Sequence, residues 1–132
     1  AAKNGDQITA EDAVKDRENY LAAVAAAQKR DPAFAAMMLD GEEAIGFVHV
    51  YPVAERPEIA FISFDCLLKE RRGRGLGKNL LDYAVRAMKD RGCTKLLLDV
   101  AKANGQAVAF YRKHGFVTFK ERGMFLKLRL SI

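Results

Sequence analysis

A chain of 132 residues, half of them hydrophobic, is sized for one domain, 1–132, with an apolar core that needs neither metal nor disulfide to hold it. The formal net charge of +5 suits a phosphate-bearing ligand or an acidic surface, but no run of five or six basic residues points to nucleic acid, which is disfavoured as a partner. Two cysteines, Cys66 and Cys93, without CxxC or Cys/His spacing, argue against a structural metal and for a reducing compartment; no apolar run approaches the ~18 residues of a membrane span, so a soluble, cytoplasmic protein is expected.

In chain order, Ala1–Gln7 is polar, and Thr9 followed by Glu11 and Asp12 reads as a helix start. That helix runs to about Lys29, where Asp31-Pro32 stops it. Phe34–Leu39 reads as a strand, Asp40-Gly41 as a tight turn and Ala44–Tyr51 as the hairpin partner. Ala54–Pro57 reads as a loop, and Ile59–Leu68 as a central strand rich in β-formers. In Leu76–Arg91, Leu80, Ala84 and Met88 recur at helical spacing, and Gly92 closes the helix. Lys95–Val100 is a short buried-type strand, and Asn104–His114 a second helix closed by Gly115. Phe116–Glu121 and Met124–Ser131 form a hairpin about Arg122-Gly123, with Met124, Leu126, Leu128 and Leu130 on its buried face. The order predicts an α/β (α+β) chain: a mixed sheet flanked by helices, with a strand–helix–strand crossover in the middle.

The strongest local signal is Arg71-Arg72-Gly73-Arg74-Gly75-Leu76-Gly77-Lys78, between a predicted strand and a predicted helix. A helix start leaves backbone N–H groups without partners and carries the positive end of the helix dipole, while glycines let a diphosphate come close. Arg72, Arg74 and Lys78 add charge. The Walker A pattern fails at Arg72 and Asn79, and the dinucleotide fingerprint GxGxxG fails at Lys78 and Leu80. What remains is Arg72-x-x-Gly75-x-Gly77, which resembles the acyl-CoA diphosphate motif of the GNAT superfamily of N-acetyltransferases. Leu98-Asp99-Val100-Ala101-Lys102-Ala103-Asn104, then Phe110-Tyr111 and His114-Gly115-Phe116, resembles the second half of the same family, so the resemblance runs from Ile59 to Phe116.

The resemblance implies a mostly antiparallel sheet with a splayed parallel strand pair, and acetyl-CoA as co-substrate, without a metal. It implies acetyl transfer to a primary amine of a small molecule or protein by direct attack; the alternative is a non-catalytic acetyl-CoA-binding regulator. Asp65, Cys66 and Leu67, at the splay, would meet the pantetheine arm, with the Leu67 N–H polarising the thioester carbonyl. Gly73, Arg74, Gly75, Leu76, Gly77 and Lys78, with Arg72, would hold the diphosphate. Asn104 would contact the cofactor arm, cap its helix, or do both. Tyr111 would contact the cofactor and protonate the departing thiolate.

The base that deprotonates the amine is open among Asp99, Asp65, Glu58, His49 and a water chain. Asp99 holds the position of a Glu in the bacterial ribosomal-protein alanine N-acetyltransferases, whose Leu-Glu-Val-x-x-x-Asn resembles Leu98-Asp99-Val100-x-x-x-Asn104. The competing account of Asp99 is a rim carboxylate paired with a Lys or Arg, and Asp65 either binds the acceptor cation or faces solvent. Relatives open with a strand that is degenerate here: it is missing, reduced to Gln7-Ile8, or replaced by a partner chain, as in a homodimer.

Overall fold

The computed structural model describes residues 31–132, together with Ala22, Ala25, Ala26, Lys29 and Arg30, which are helical and exposed. The expected first strand and most of the helix from Thr9 lie outside the described residues. Asp31 caps one 3-10 turn, Pro32–Phe34, its Oδ1 accepting from Ala33 N at 2.9 Å. Strand β1 (Ala35–Asp40) follows, then β2 (Glu43–Val53) and β3 (Arg56–Leu67). Ala54–Pro57, read from the sequence as a loop, is a two-residue turn instead: β2 runs on to Val53, which pairs with Arg56. Helix α1 (Leu76–Lys89), strand β4 (Lys95–Ala101), helix α2 (Gly105–Lys113) and the hairpin β5 (Val117–Arg122) and β6 (Phe125–Ser131) complete the chain.

The six described strands form one sheet in the order β1-β2-β3-β4-β6-β5, antiparallel throughout except for β3 and β4. That pair is joined by the crossover through α1, which is the connection a parallel neighbour requires. This is the mixed sheet expected from the element order, with the mostly antiparallel pairing that the resemblance implies. Its parallel pair is hydrogen-bonded only over Ile59–Phe61 and Lys95–Leu97; beyond Leu97 the two strands part.

The helical spacing read in α1 buries Leu80, Leu81, Ala84, Ala87 and Met88 against the sheet. They meet Val48, Val50, Ala60 and Ile62 from the sheet and Val108, Tyr111 and Phe116 from the α2 region in one cluster. Ile45, Phe47 and Cys66 form a second cluster with Ala35 and Leu68. On β6 the alternation buries Leu126 and Leu128. Met124, expected on that buried face, sits in the turn before the strand and is 75% exposed, because the alternation begins only once Phe125 has paired with Arg122.

Met88 is fully buried under the sheet. Met88→Ala is expected to cost about 2–5 kcal/mol of unfolding free energy, read as a lower urea midpoint at unchanged slope.

Candidate active site

The parting of β3 and β4 opens a cavity of about 460 Å³ between the end of β3, the loop before α1 and one face of α2, a volume in the range of small-molecule sites. Asp65, Cys66 and Leu67 form one wall, Arg72, Gly73, Gly75, Gly77 and Lys78 a second, and α2 the third. Leu68 N–H bonds back to Ile45 O at 2.8 Å, while the Leu67 carbonyl accepts from Arg72 Nε at 3.0 Å. Backbone groups of an extended chain alternate in direction, so the Leu67 N–H points away from β2, into the gap.

Glycine places the loop. Gly73 and Gly75 adopt φ of +80° and +79°, where side-chain-bearing residues are strained, and a Cβ on either would meet only open space. Among the described residues, no backbone acceptor meets the N–H groups of Gly73 through Lys78. These donors cluster at the positive end of the 14-residue α1, as an anion site requires. Gly77 serves a different end: a Cβ there would stand 3.3 Å from the Phe110 ring, so it lets α1 pack close to α2. Lys78 Nζ is paired with Asp82 at 2.8 Å, and Arg71 is taken by Asp40 and Glu43, tying the loop to the β1–β2 hairpin.

Of the residues expected at the diphosphate, Arg74 and Leu76 are not on the cavity wall; Leu76 packs on both apolar clusters. Asn104 is buried at the start of α2, its Oδ1 accepting from Ala107 N at 3.1 Å and its Nδ2 without a partner among the described residues. Cap geometry therefore uses half of the side chain and leaves a buried donor over. Gln106, Ala107, Phe110, Lys113 and His114 also line the cavity, and sequence reasoning did not name them as site residues. Their signal is helical: 106/107, 110/111 and 113/114 are one stripe of α2.

Residues 5–116 match the model of the Acetyltransferase (GNAT) family. The chain belongs to the GNAT acetyltransferase family. It is 30% identical over 91 residues to "N-alpha-acetyltransferase 30" of Schizosaccharomyces pombe, covering 67% of this chain and 61% of the relative. It is 36% identical over 88 residues to "Mycothiol acetyltransferase" of Corynebacterium glutamicum, covering 67% of this chain and 30% of that one. The chain thus matches less than two thirds of either relative's length. Among solved structures, the PaiA N-acetyltransferase of Thermoplasma acidophilum in complex with coenzyme A superposes with a TM-score of 0.75 at 21% identity, over 91% of this chain and 74% of the other.

Within this GNAT fold, the Tyr111 hydroxyl donates to Asp65 Oδ2 at 3.0 Å. Asp65 does not face solvent: it is 8% exposed, and burial pushes its carboxyl up to about 7, while the Tyr111 hydrogen bond pulls the other way. A bulge puts it there. His49 pairs with Phe64 but Val50 pairs with Ile62, so Ser63 is an extra residue that reverses the phase of β3. Ala60 and Ile62 face the main cluster before it; Asp65 and Leu67 face that side after it, and Cys66 turns to the other.

Cys66 is no nucleophile, since burial first and the Asp65 charge second push its thiol up to about 12. Asp99 is bonded through Oδ1 to Lys127 Nζ at 3.1 Å, its register partner on β6. It lies with Asp65 and Tyr111 along a narrow crevice between the parted strands. Glu58 is bonded to Arg56 at the far end of β3. His49 shares its strand face with Phe47, not with Val48 and Val50, so it stands on the other side of the sheet from Tyr111; burial and the Arg30 charge hold its pKa down.

The raised pKa of Asp65 makes a stability prediction. The native state holds this proton more tightly than the unfolded chain, so the contribution is full below pH 4 and is lost as pH rises through about 7. Asp65→Asn keeps the hydrogen-bond acceptor and removes the buried charge. It is expected to melt higher than the parent at pH 8, with the gap closing toward pH 5, as followed by circular dichroism.

Proposed function

We propose that this protein is an N-acetyltransferase that moves an acetyl group from acetyl-CoA to a primary amine. The observation that carries the reading is the set of backbone donors of Gly73, Gly75, Gly77 and Lys78 at the start of α1, on the wall of a cavity that leads to Asp65–Leu67 and Tyr111. The fit to coenzyme A rests on three features of the site. Gly73 and Gly75 leave their outer faces clear for a diphosphate, Arg72 and Lys78 bring positive charge to the same wall, and the parted strand edge offers main-chain groups to an amide-bearing arm.

The build of this wall supports the reaction class. A thioester carbonyl lodged at the end of β3 would meet the Leu67 N–H, a fixed dipole aimed where negative charge develops. The amine adds directly to the thioester carbon, because Cys66 stays a thiol and offers no covalent route. Tyr111, a neutral phenol on the cavity wall, protonates the departing sulfur. Asp99, the carboxylate expected from the sequence to take the amine proton, stands across the crevice in its ion pair with Lys127. The relative named N-alpha-acetyltransferase makes a peptide α-amine the first acceptor to try, since that amine is partly neutral at physiological pH.

The test is ligand-induced stabilisation followed by turnover. Coenzyme A at about 100-fold over its dissociation constant is expected to add about 2.7 kcal/mol of stability, seen as a raised melting temperature that ATP and NAD at equal concentration do not match. Tyr111→Phe is expected to lower kcat by about 10²-fold or more while the KM for acetyl-CoA holds. Equal stabilisation by all three ligands, or a Tyr111→Phe variant with full kcat, would contradict the assignment.

A further inference from the structure

A large cavity meets a cleft too tight to admit water where β3 and β4 part. The cavity is bounded by the loop and α2, the cleft by Ile62, Leu98 and Asp99. Asp65 and Tyr111 are the two residues that line both, joined by their 3.0 Å hydrogen bond. Direct acetyl transfer from a thioester to an amine makes a matching demand: a proton leaves nitrogen and a proton must reach sulfur, at two groups on the reacting carbon. We infer that Asp65 is the proton acceptor of this reaction and returns the amine's proton, through Tyr111, to the departing sulfur. The inference rests on the N-acetyltransferase reading given above.

The balance closes on the protein. The amine enters neutral, its first proton lost to water. Its nitrogen lone pair forms the C–N bond as the carbonyl pair moves to oxygen. The nitrogen, now cationic, gives a proton to the Asp65 carboxylate. The carbonyl re-forms, the C–S bond breaks with its pair on sulfur, and sulfur takes the Tyr111 hydroxyl proton. Asp65 then protonates the Tyr111 oxygen along the existing hydrogen bond. An amide and a thiol leave, and Asp65 and Tyr111 are restored.

Two further observations favour Asp65 over Asp99. The single Tyr111 proton is directed at Asp65, so release of that proton to sulfur is coupled to its replacement from the same carboxyl. Asp99 holds Lys127, and protonating it would break an ion pair. The titratable groups lining the cavity or the cleft with Asp65 are Cys66 beside it on β3, Tyr111 and Lys113 of α2 with His114 just after it, Arg72 and Lys78 of the loop wall, and Asp99 of β4; β2 sets the apolar Val48 opposite it. Burial outweighs them and poises the carboxyl near 7, where it exchanges protons at neutral pH.

The experiment compares wild type, Asp65→Asn and Tyr111→Phe, following thiol release from acetyl-CoA. The acceptor is whichever amine turns over fastest in a panel of free-N-terminus peptides and small primary amines. Wild-type kcat is expected to rise through about pH 7 and level off. Asp65→Asn should lose that rise and fall by about 10²-fold or more, with coenzyme A still raising its melting temperature as in the parent. In the protein alone, infrared titration should show a protonated carboxyl in wild type that is half lost near pH 7 and absent in Asp65→Asn. In Tyr111→Phe its midpoint should move up, because the bond stabilising the anion is gone. An active wild type whose Asp65→Asn variant keeps both kcat and the rise overturns the relay alone, as does a carboxyl that titrates in the ordinary range. A wild type that releases no thiol with any amine overturns the acetyltransferase reading and the relay with it.

Discussion

The three-residue length of the β3–β4 ladder is the constraint on which this structure turns. Each strand is fully engaged on its other side: β2 holds β3 as far as Gly46–Leu67, and β6 holds β4 along all seven residues from Lys95 to Ala101. Between them, pairing stops at Phe61 and Leu97. The backbone edge beyond those residues cannot be satisfied by a neighbouring strand, and unpaired main-chain groups seek partners. Arg72 supplies one by reaching back to the Leu67 carbonyl, which also fixes the loop at the mouth of the opening. The rest of the edge is available to a ligand that carries amides of its own.

The bulge at Ser63 decides which side chain of β3 faces the opening. In a regular strand Phe64 and Cys66 would follow Ala60 and Ile62 into the core, and Asp65 would lie on the opposite face. One inserted residue exchanges them, bringing a carboxyl to Tyr111 at the cost of burying it. A protein selected for stability alone would place an amide or an apolar group there; keeping the acid is the kind of local cost that marks a working site.

How much of this was legible in the sequence depended on distance along the chain. The loop could be read because its glycines and basic residues are contiguous and follow a strand, and Tyr111 because it stands in a local aromatic pair. The hairpins and the crossover followed from element order and short connections, whereas the seating of β6 rather than β5 against β4 did not. The Asp65–Tyr111 bond joins residues 46 apart through a bulge that no local pattern announces, and the Asp99–Lys127 pair depends on a register set by the β4–β6 ladder. Gly77 looked like its neighbours in the motif, yet its neighbour in space is a ring on another helix. Met124 continued an alternation past the end of its strand.

The proposed function depends on the loop amides holding a diphosphate. The direct measurement is an amide NMR titration with coenzyme A, following Gly73, Gly75, Gly77 and Lys78. The account predicts that these amides shift together and exchange more slowly with solvent as the ligand saturates, while amides of the β1–β2 turn stay fixed. Saturation that leaves the loop amides unmoved would contradict it.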